Sequence, residues 1–178
     1  MNVVITLAGH SKRFKDVGYT IPKAFIKIDG KMMIEYVCEM FSPQDYFYFI
    51  INTEQEKLFP ILIQSLKQLV PHCEIIAINP HNLGPIESVL CLDNKIPDEP
   101  FIISYCDFFV KWNYKNFLRN SHGFSASLSS FKGFHPASFG DTYYAYMKTD
   151  DKNQLIELQE KKSFIRIYML YRTKVGRA

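Results

Sequence analysis

No apolar run in the chain is long enough to cross a membrane. The longest aromatic-aliphatic stretch, "YFYFII", spans six residues, far below the ~20 a helical span needs. No CxxC spacing occurs. Cys38, Cys73, Cys91 and Cys106 are scattered among apolar neighbours, as reduced core thiols are, and a zinc site built on His72 and Cys73 has no supporting pattern. No basic leader precedes the first apolar residues, so no signal peptide is expected and the expected compartment is the cytoplasm. There is neither GxGxxG nor GK[ST], which argues against a dinucleotide fold and a P-loop ATPase. The five histidines, His10, His72, His81, His122 and His135, form no Ser-His-Asp or Cys-His pattern. Charge is sparse and nearly balanced, 21 basic against 18 acidic residues, a net +3. That is too mild to argue nucleic acid and suits an anionic small molecule.

What is present is an aromatic-rich globular chain of 178 residues, 47% apolar, long enough to bury a real core. Apolar strands alternate with helical patterns. Residues 3–7, the "YFYFIIN" segment, "EIIAIN" and "PFIISYC" read as buried strands, and "AFIKI" as a shorter one closed by Asp29-Gly30. Between them, "MMIEYVCEMF", "EQEKLFPILIQSLKQLV" and "IESVLCLDN" read as helices. Pro60 either kinks the second or starts it. Such alternation indicates an α/β domain with a mostly parallel sheet covered on both faces. After Asn120 the period changes to two: "FSASLSSF", "TYYAYMKT" and "QLIELQEK" predict antiparallel strands. The basic tail from residue 164 follows neither period and reads at most as an edge strand over 165–171.

Ligands of open parallel sheets collect beyond the carboxyl ends of the strands. "LAGHSKRFKDVGYTIPKAF", residues 7–25, begins at such an end and places four cations and two glycines in nineteen residues. Gly9 and Ser11 are small enough for close backbone approach. Arg13 and Lys23 are the cations a polyphosphate requires, and Pro22 holds Ile21 extended, fixing where Lys23 projects. A plain solvated basic loop is the alternative reading of the same residues.

Together, "LAGHSKRF", "IPKAF" and "GKMMIEYV" resemble the N-terminal signature of sugar-phosphate nucleotidyltransferases, with Ser11 in place of the second glycine and Lys12 where Ser or Thr is usual. The resemblance implies a Rossmann-like, glycosyltransferase-A-like fold over residues 1–163. It implies nucleotide binding by Leu7, Ala8, Gly9, Ser11, Arg13 and Lys23. In "NPHNLGPIESVL", Asn79 and Gly84 fall where the family reads the base. In "FIISYCDF", Asp107 falls on the family's Mg²⁺-binding aspartate; taken alone it could equally cap a turn. Ala145 falls where the sugar approaches, and Glu160 and Lys161 on the pair that contacts the sugar and its phosphate.

The implied reaction joins an NTP to a sugar 1-phosphate or similar phosphomonoester, releasing pyrophosphate, as in surface-polysaccharide precursor synthesis, with Arg13, Lys23 and Asp107 carrying the catalysis. Its partners are an NTP and a phosphorylated acceptor, with no nucleic acid and no membrane span; self-association stays open. The family pattern continues into a further strand and a second metal-binding aspartate, whereas no acid follows Glu160 here. A chain shortened at its C-terminal end, or an incomplete metal site, is the expectation. Two rival readings remain: an inactive or regulatory nucleotide-binding module, and a glycosyltransferase using a nucleotide sugar, although "YCDFFV" lacks the D-x-D such enzymes carry.

Overall fold

β-branched residues following the first methionine form β1 (Asn2–Thr6), which lies at the centre of a four-stranded parallel sheet. β1 pairs on one side with β4 (Tyr46–Asn52) and on the other with β6 (Phe101–Tyr105), and β4 pairs outward with β5 (Cys73–Ile78). The order β5-β4-β1-β6 reverses direction at β1, so the carboxyl ends of β1 and β6 flank a topological switch point. A computed structural model describes residues 1–92, 95–130 and 144–161. They fall into two compact units, Met1–Ser125 and Ala126–Ala178.

Alternate residues of the strands feed two cores, as the two-residue period requires. Val3, Ile5, Phe47, Phe49 and Ile51 point to one face, against α2 (Met33–Cys38) and α4 (Pro60–Leu69). Val4, Tyr48, Ile50, Ile76 and Ile78 point to the other, where Val89 of α5 (Pro85–Leu90) and Leu92 just beyond it cover them. Burying each large apolar side chain contributes about 1.5–3 kcal/mol, and those at the centre of the sheet are fully enclosed.

Local chemistry explains most boundaries. The two readings of Pro60 resolve to a start: α3 (Thr53–Leu58) ends, Phe59 breaks the helix at φ −131°, and Pro60 opens α4 in the first turn, where its missing N–H has no intrahelical partner to lose. The "AFIKI" strand shrinks to β2 (Lys27–Ile28), paired with β3 (Lys31–Met32) around Asp29-Gly30, both at positive φ. Its first half is instead a 3₁₀ turn, Lys23–Phe25, because Ala24 and Phe25 bury themselves in the core from a turn that Pro22 initiates.

Two short helices escaped the periodicity reading. α1 (Lys12–Asp16) buries no residue, and α6 (Tyr114–Ser121) is mostly polar. α6 docks through aromatic edges: Phe41 meets Phe47, Trp112 and Tyr114 edge-on. Buried Asp45 fastens the same corner, accepting from the Met1 amine at 3.1 Å, Ser42 N at 3.0 Å and the Tyr114 hydroxyl at 2.6 Å. β6 differs from a strand covered on both faces, since Phe101, Ile103 and Tyr105 are exposed on one side. Among the described residues it is an outer strand of the sheet.

In the second unit, β7 (Ala145–Thr149) and β8 (Leu155–Glu160) form an antiparallel pair with a register shift at Lys148/Thr149. Residues 124–130 form no strand although "FSASLSSF" alternates. Its small polar side chains are exposed there and bury no apolar face to repay pairing. The tail from residue 164 lies outside the described residues.

Candidate active site

The loop leaving β1 is held from below by two buried amides. Asn52, the last residue of β4, donates from Nδ2 to the Ala8 carbonyl at 2.8 Å. Gln55 donates from Nε2 to the Leu7 carbonyl at 2.9 Å and to the Gly9 carbonyl at 3.2 Å. The two amides also cap α3 reciprocally. Gln55 N donates to Asn52 Oδ1 at 2.8 Å, and Asn52 N donates to Gln55 Oε1 at 3.0 Å. Three consecutive loop carbonyls are therefore engaged by buried side chains that are themselves fixed.

Beyond this anchor the backbone turns sharply. Ser11 adopts the left-handed conformation, φ 54° and ψ 30°, where a family glycine would sit without penalty. Its Oγ accepts from Lys23 N at 3.1 Å, so the loop's two ends, twelve residues apart, are tied together. α1 follows Ser11 directly and presents Lys12, Arg13 and Lys15 to solvent.

Lys23 reaches across the switch point. Its Nζ lies 2.7 Å from Asp107 Oδ2, two residues past the end of β6. The side chains are 24% and 30% exposed, so the pair is only partly screened. Immediately before Asp107, Cys106 is buried, and desolvation pushes its thiol up to about 12. It stays protonated and is no nucleophile. Asp107 also lines a cavity of about 280 Å³ together with Ile28, Asp29, Met33, Tyr36, Val37 and Phe109. The Tyr36 and Phe109 rings meet edge-on across 5.9 Å.

Asn79 follows β5 directly and is exposed; Gly84 precedes α5 at φ 96°. Between them His81 braces the loop. Leu83 N donates to His81 Nδ1 at 3.2 Å, so the proton of the neutral ring belongs on Nε2, which lies 3.0 Å from the buried Ser88 Oγ. In the second unit Ala145 is the β-partner of Glu160. Lys161 N donates to the Tyr144 carbonyl at 2.9 Å, and Lys161 Nζ lies 3.4 Å from Glu160 Oε1 on the surface.

The structure thus gathers Gly9, Ser11, Lys23 and Asp107 at one rim, with the Leu7 and Ala8 backbones beneath them. Asn79 and Gly84 occupy the neighbouring loop. Asn52, Gln55 and His81 are the site-shaping residues that sequence reasoning missed. "NTEQ" directly behind an apolar strand carries the signal for the first two, since Asn and Gln three apart form a capping box.

A magnesium ion can be tested against these donors. Among the described residues no group of three or more His, Cys, Asp or Glu could hold a metal, so an all-protein cage does not fit. One carboxylate at a strand end beside a cation-lined loop does fit an ion that takes its remaining ligands from phosphate oxygens and water.

A parallel sheet with a core on each face and a basic, glycine-containing loop at its switch point defines a nucleotide-handling type of α/β protein. The chain belongs to the MobA-like NTP transferase domain family, whose model matches residues 3–163. It is 26% identical over 163 residues to the bifunctional protein GlmU of Methanocaldococcus jannaschii, a match covering 90% of this chain and 36% of that protein. The chain therefore spans little more than a third of that relative's length. In fold it resembles the nucleoside-diphosphate-sugar pyrophosphorylase from Vibrio cholerae RC9, with a TM-score of 0.67 at 19% identity, over 93% of this chain and 68% of the other. The inositol-1-phosphate CTP transferase from T. maritima superposes with a TM-score of 0.64 at 16% identity, over 90% of this chain and 64% of the other. No helix among the described residues is long and apolar enough to cross a membrane.

Proposed function

We propose that the chain is a nucleotidyltransferase that transfers NMP from an NTP to a sugar 1-phosphate or similar phosphomonoester and releases pyrophosphate. The observation that carries this reading is the meeting of Lys23 and Asp107 across the switch point, beside a loop whose carbonyls are tied down. Family membership and the pyrophosphorylase fold support it. Surface-polysaccharide precursor synthesis is the role proposed for the product. Free NTP is a cytoplasmic reagent, and that is the compartment such a reaction requires.

The acceptor phosphate is already ionised near pH 7, so no general base is needed. The obstacle is repulsion between two anions, and catalysis rests on in-line positioning and charge neutralisation. Arg13 and Lys23 are assigned to the triphosphate, and the Ser11 hydroxyl fixes the backbone from which Lys23 reaches. Asp107 would hold Mg²⁺, which when bound polarises the phosphate undergoing attack. Asn79 and Gly84 are assigned to the base. Ala145, Glu160 and Lys161 are assigned to the acceptor, with Lys161 on its phosphate.

Screening pyrophosphate release from four NTPs against a panel of phosphomonoesters tests the reading. One pair is expected to turn over, and Lys23→Ala to slow it about 10²–10³-fold, the loss typical of one preorganised charge contact in a desolvated site. NTP binding without turnover on any acceptor would select the inactive-module reading. NDP released from a sugar nucleotide would select a glycosyltransferase.

A further inference from the structure

The Lys23–Asp107 contact joins two groups to which the proposed function gives different ligands: the ammonium to a triphosphate, the carboxylate to a metal ion. The two groups satisfy each other at 2.7 Å. We infer that Lys23 is a specificity-determining residue that closes Asp107 to free divalent cations and yields it only to a cation arriving with a polyphosphate. This inference rests on Asp107 being the metal-binding carboxylate.

The argument is electrostatic. A dication approaching Asp107 meets an ammonium already in contact with one carboxylate oxygen, and the repulsion acts at contact distance, well inside the screening length. To admit the ion, Lys23 must withdraw and lose its anion. Ser11 fixes the backbone end of that movement, because its hydroxyl accepts from the Lys23 N–H at 3.1 Å, so the withdrawal is by side-chain rotation alone. Among the described residues no cluster of three or more His, Cys, Asp or Glu ligands surrounds Asp107 to offset that repulsion. A polyphosphate removes the obstacle. It offers Lys23 a replacement anion and the metal several further oxygens, so both partners of the broken pair are satisfied in one exchange. Free metal, without the compensating anion, is selected against.

Manganese binding to the full chain without nucleotide, followed by electron paramagnetic resonance, tests this without any turnover. Wild type, Lys23→Met, Lys23→Gln, Lys23→Arg and Asp107→Asn are compared, together with the Lys23→Met/Asp107→Asn double variant. Using two neutral replacements guards against one failing to fold. The neutral variants should bind Mn²⁺ at least ~10-fold more tightly than wild type. Lys23→Arg should stay as weak as wild type, and adding Asp107→Asn should abolish the gain. Unchanged affinity in both neutral variants, with binding still lost in Asp107→Asn, would overturn the closing role and leave Asp107 as a metal ligand. A gain that survives Asp107→Asn overturns it as well. Absence of any Asp107-dependent Mn²⁺ binding in every chain would overturn both the inference and the metal assignment beneath it.

Discussion

Gln55 reaches back 48 residues to donate its side-chain amide to the Leu7 carbonyl at 2.9 Å, and the same nitrogen lies 3.2 Å from Gly9 O. With those carbonyls engaged beneath it, the loop is held from within the protein. Gln55→Met keeps the length but removes both the donor to the buried Leu7 carbonyl and the acceptor of the Asn52 N–H. The variant should lose about 1–3 kcal/mol in urea unfolding. Its KM for NTP should rise more than its kcat falls, which steady-state kinetics will separate.

Ser11 combines a mildly strained backbone with a useful hydroxyl. Ser11→Gly relieves the left-handed conformation, worth about 1–2 kcal/mol for a non-glycine residue, and sacrifices one hydrogen bond worth about 0.5–1.5 kcal/mol. The two nearly cancel, so its midpoint of thermal unfolding should stay close to wild type. Ser11→Ala keeps the strain and loses the bond, and should unfold measurably earlier.

Gly84 sits at φ 96° and ψ 175°, a region open essentially to glycine alone. A Cβ there would meet nothing within 4 Å, so the penalty for Gly84→Ala comes entirely from the backbone. A loss of about 1–3 kcal/mol in denaturant unfolding is expected. A larger loss would mean that the packing of α5 against β1 also gives way.

The cysteines divide by burial. Desolvation raises Cys38 and Cys106 from an ordinary 9.0 to about 12 in the folded chain. Between those values the unfolded chain has released protons that the folded chain still holds, so stability falls as pH rises. Below pH 9 the contribution is fully present. Above it, each thiol costs about 1.4 kcal/mol per pH unit. Urea midpoints measured at pH 8 and pH 10 will show the decline. In a native alkylation time course at pH 8, exposed Cys91 should react first and Cys38 and Cys106 last.

Much of this was legible from residue order alone. The strands of the parallel sheet announce themselves because continuous apolar runs bounded by breakers have few other uses. Gly9, Lys23 and Asp107 follow from where those runs stop. α1 and α6 were illegible because neither buries a stripe of its own: α1 is anchored by Ser11, and α6 by aromatics that precede or interrupt it. "FSASLSSF" misled for the converse reason, as alternation without an apolar surface to cover carries little energy. Asn52 and Gln55 look like ordinary helix-capping residues. Their second task, engaging carbonyls more than forty positions upstream, depends on β1 and β4 lying side by side, which only the folded chain specifies.

The neutralised state of Lys23 has a kinetic corollary. With its charge offset by Asp107, Lys23 adds less long-range pull on an incoming anion than a tally of nearby cations suggests. Recruitment from solution then falls to Lys12, Arg13 and Lys15, displayed on the exposed face of α1. Fields from such surface charges fade over about 8 Å at physiological ionic strength. Added salt should therefore slow the encounter far more than it weakens the grip once the nucleotide has arrived.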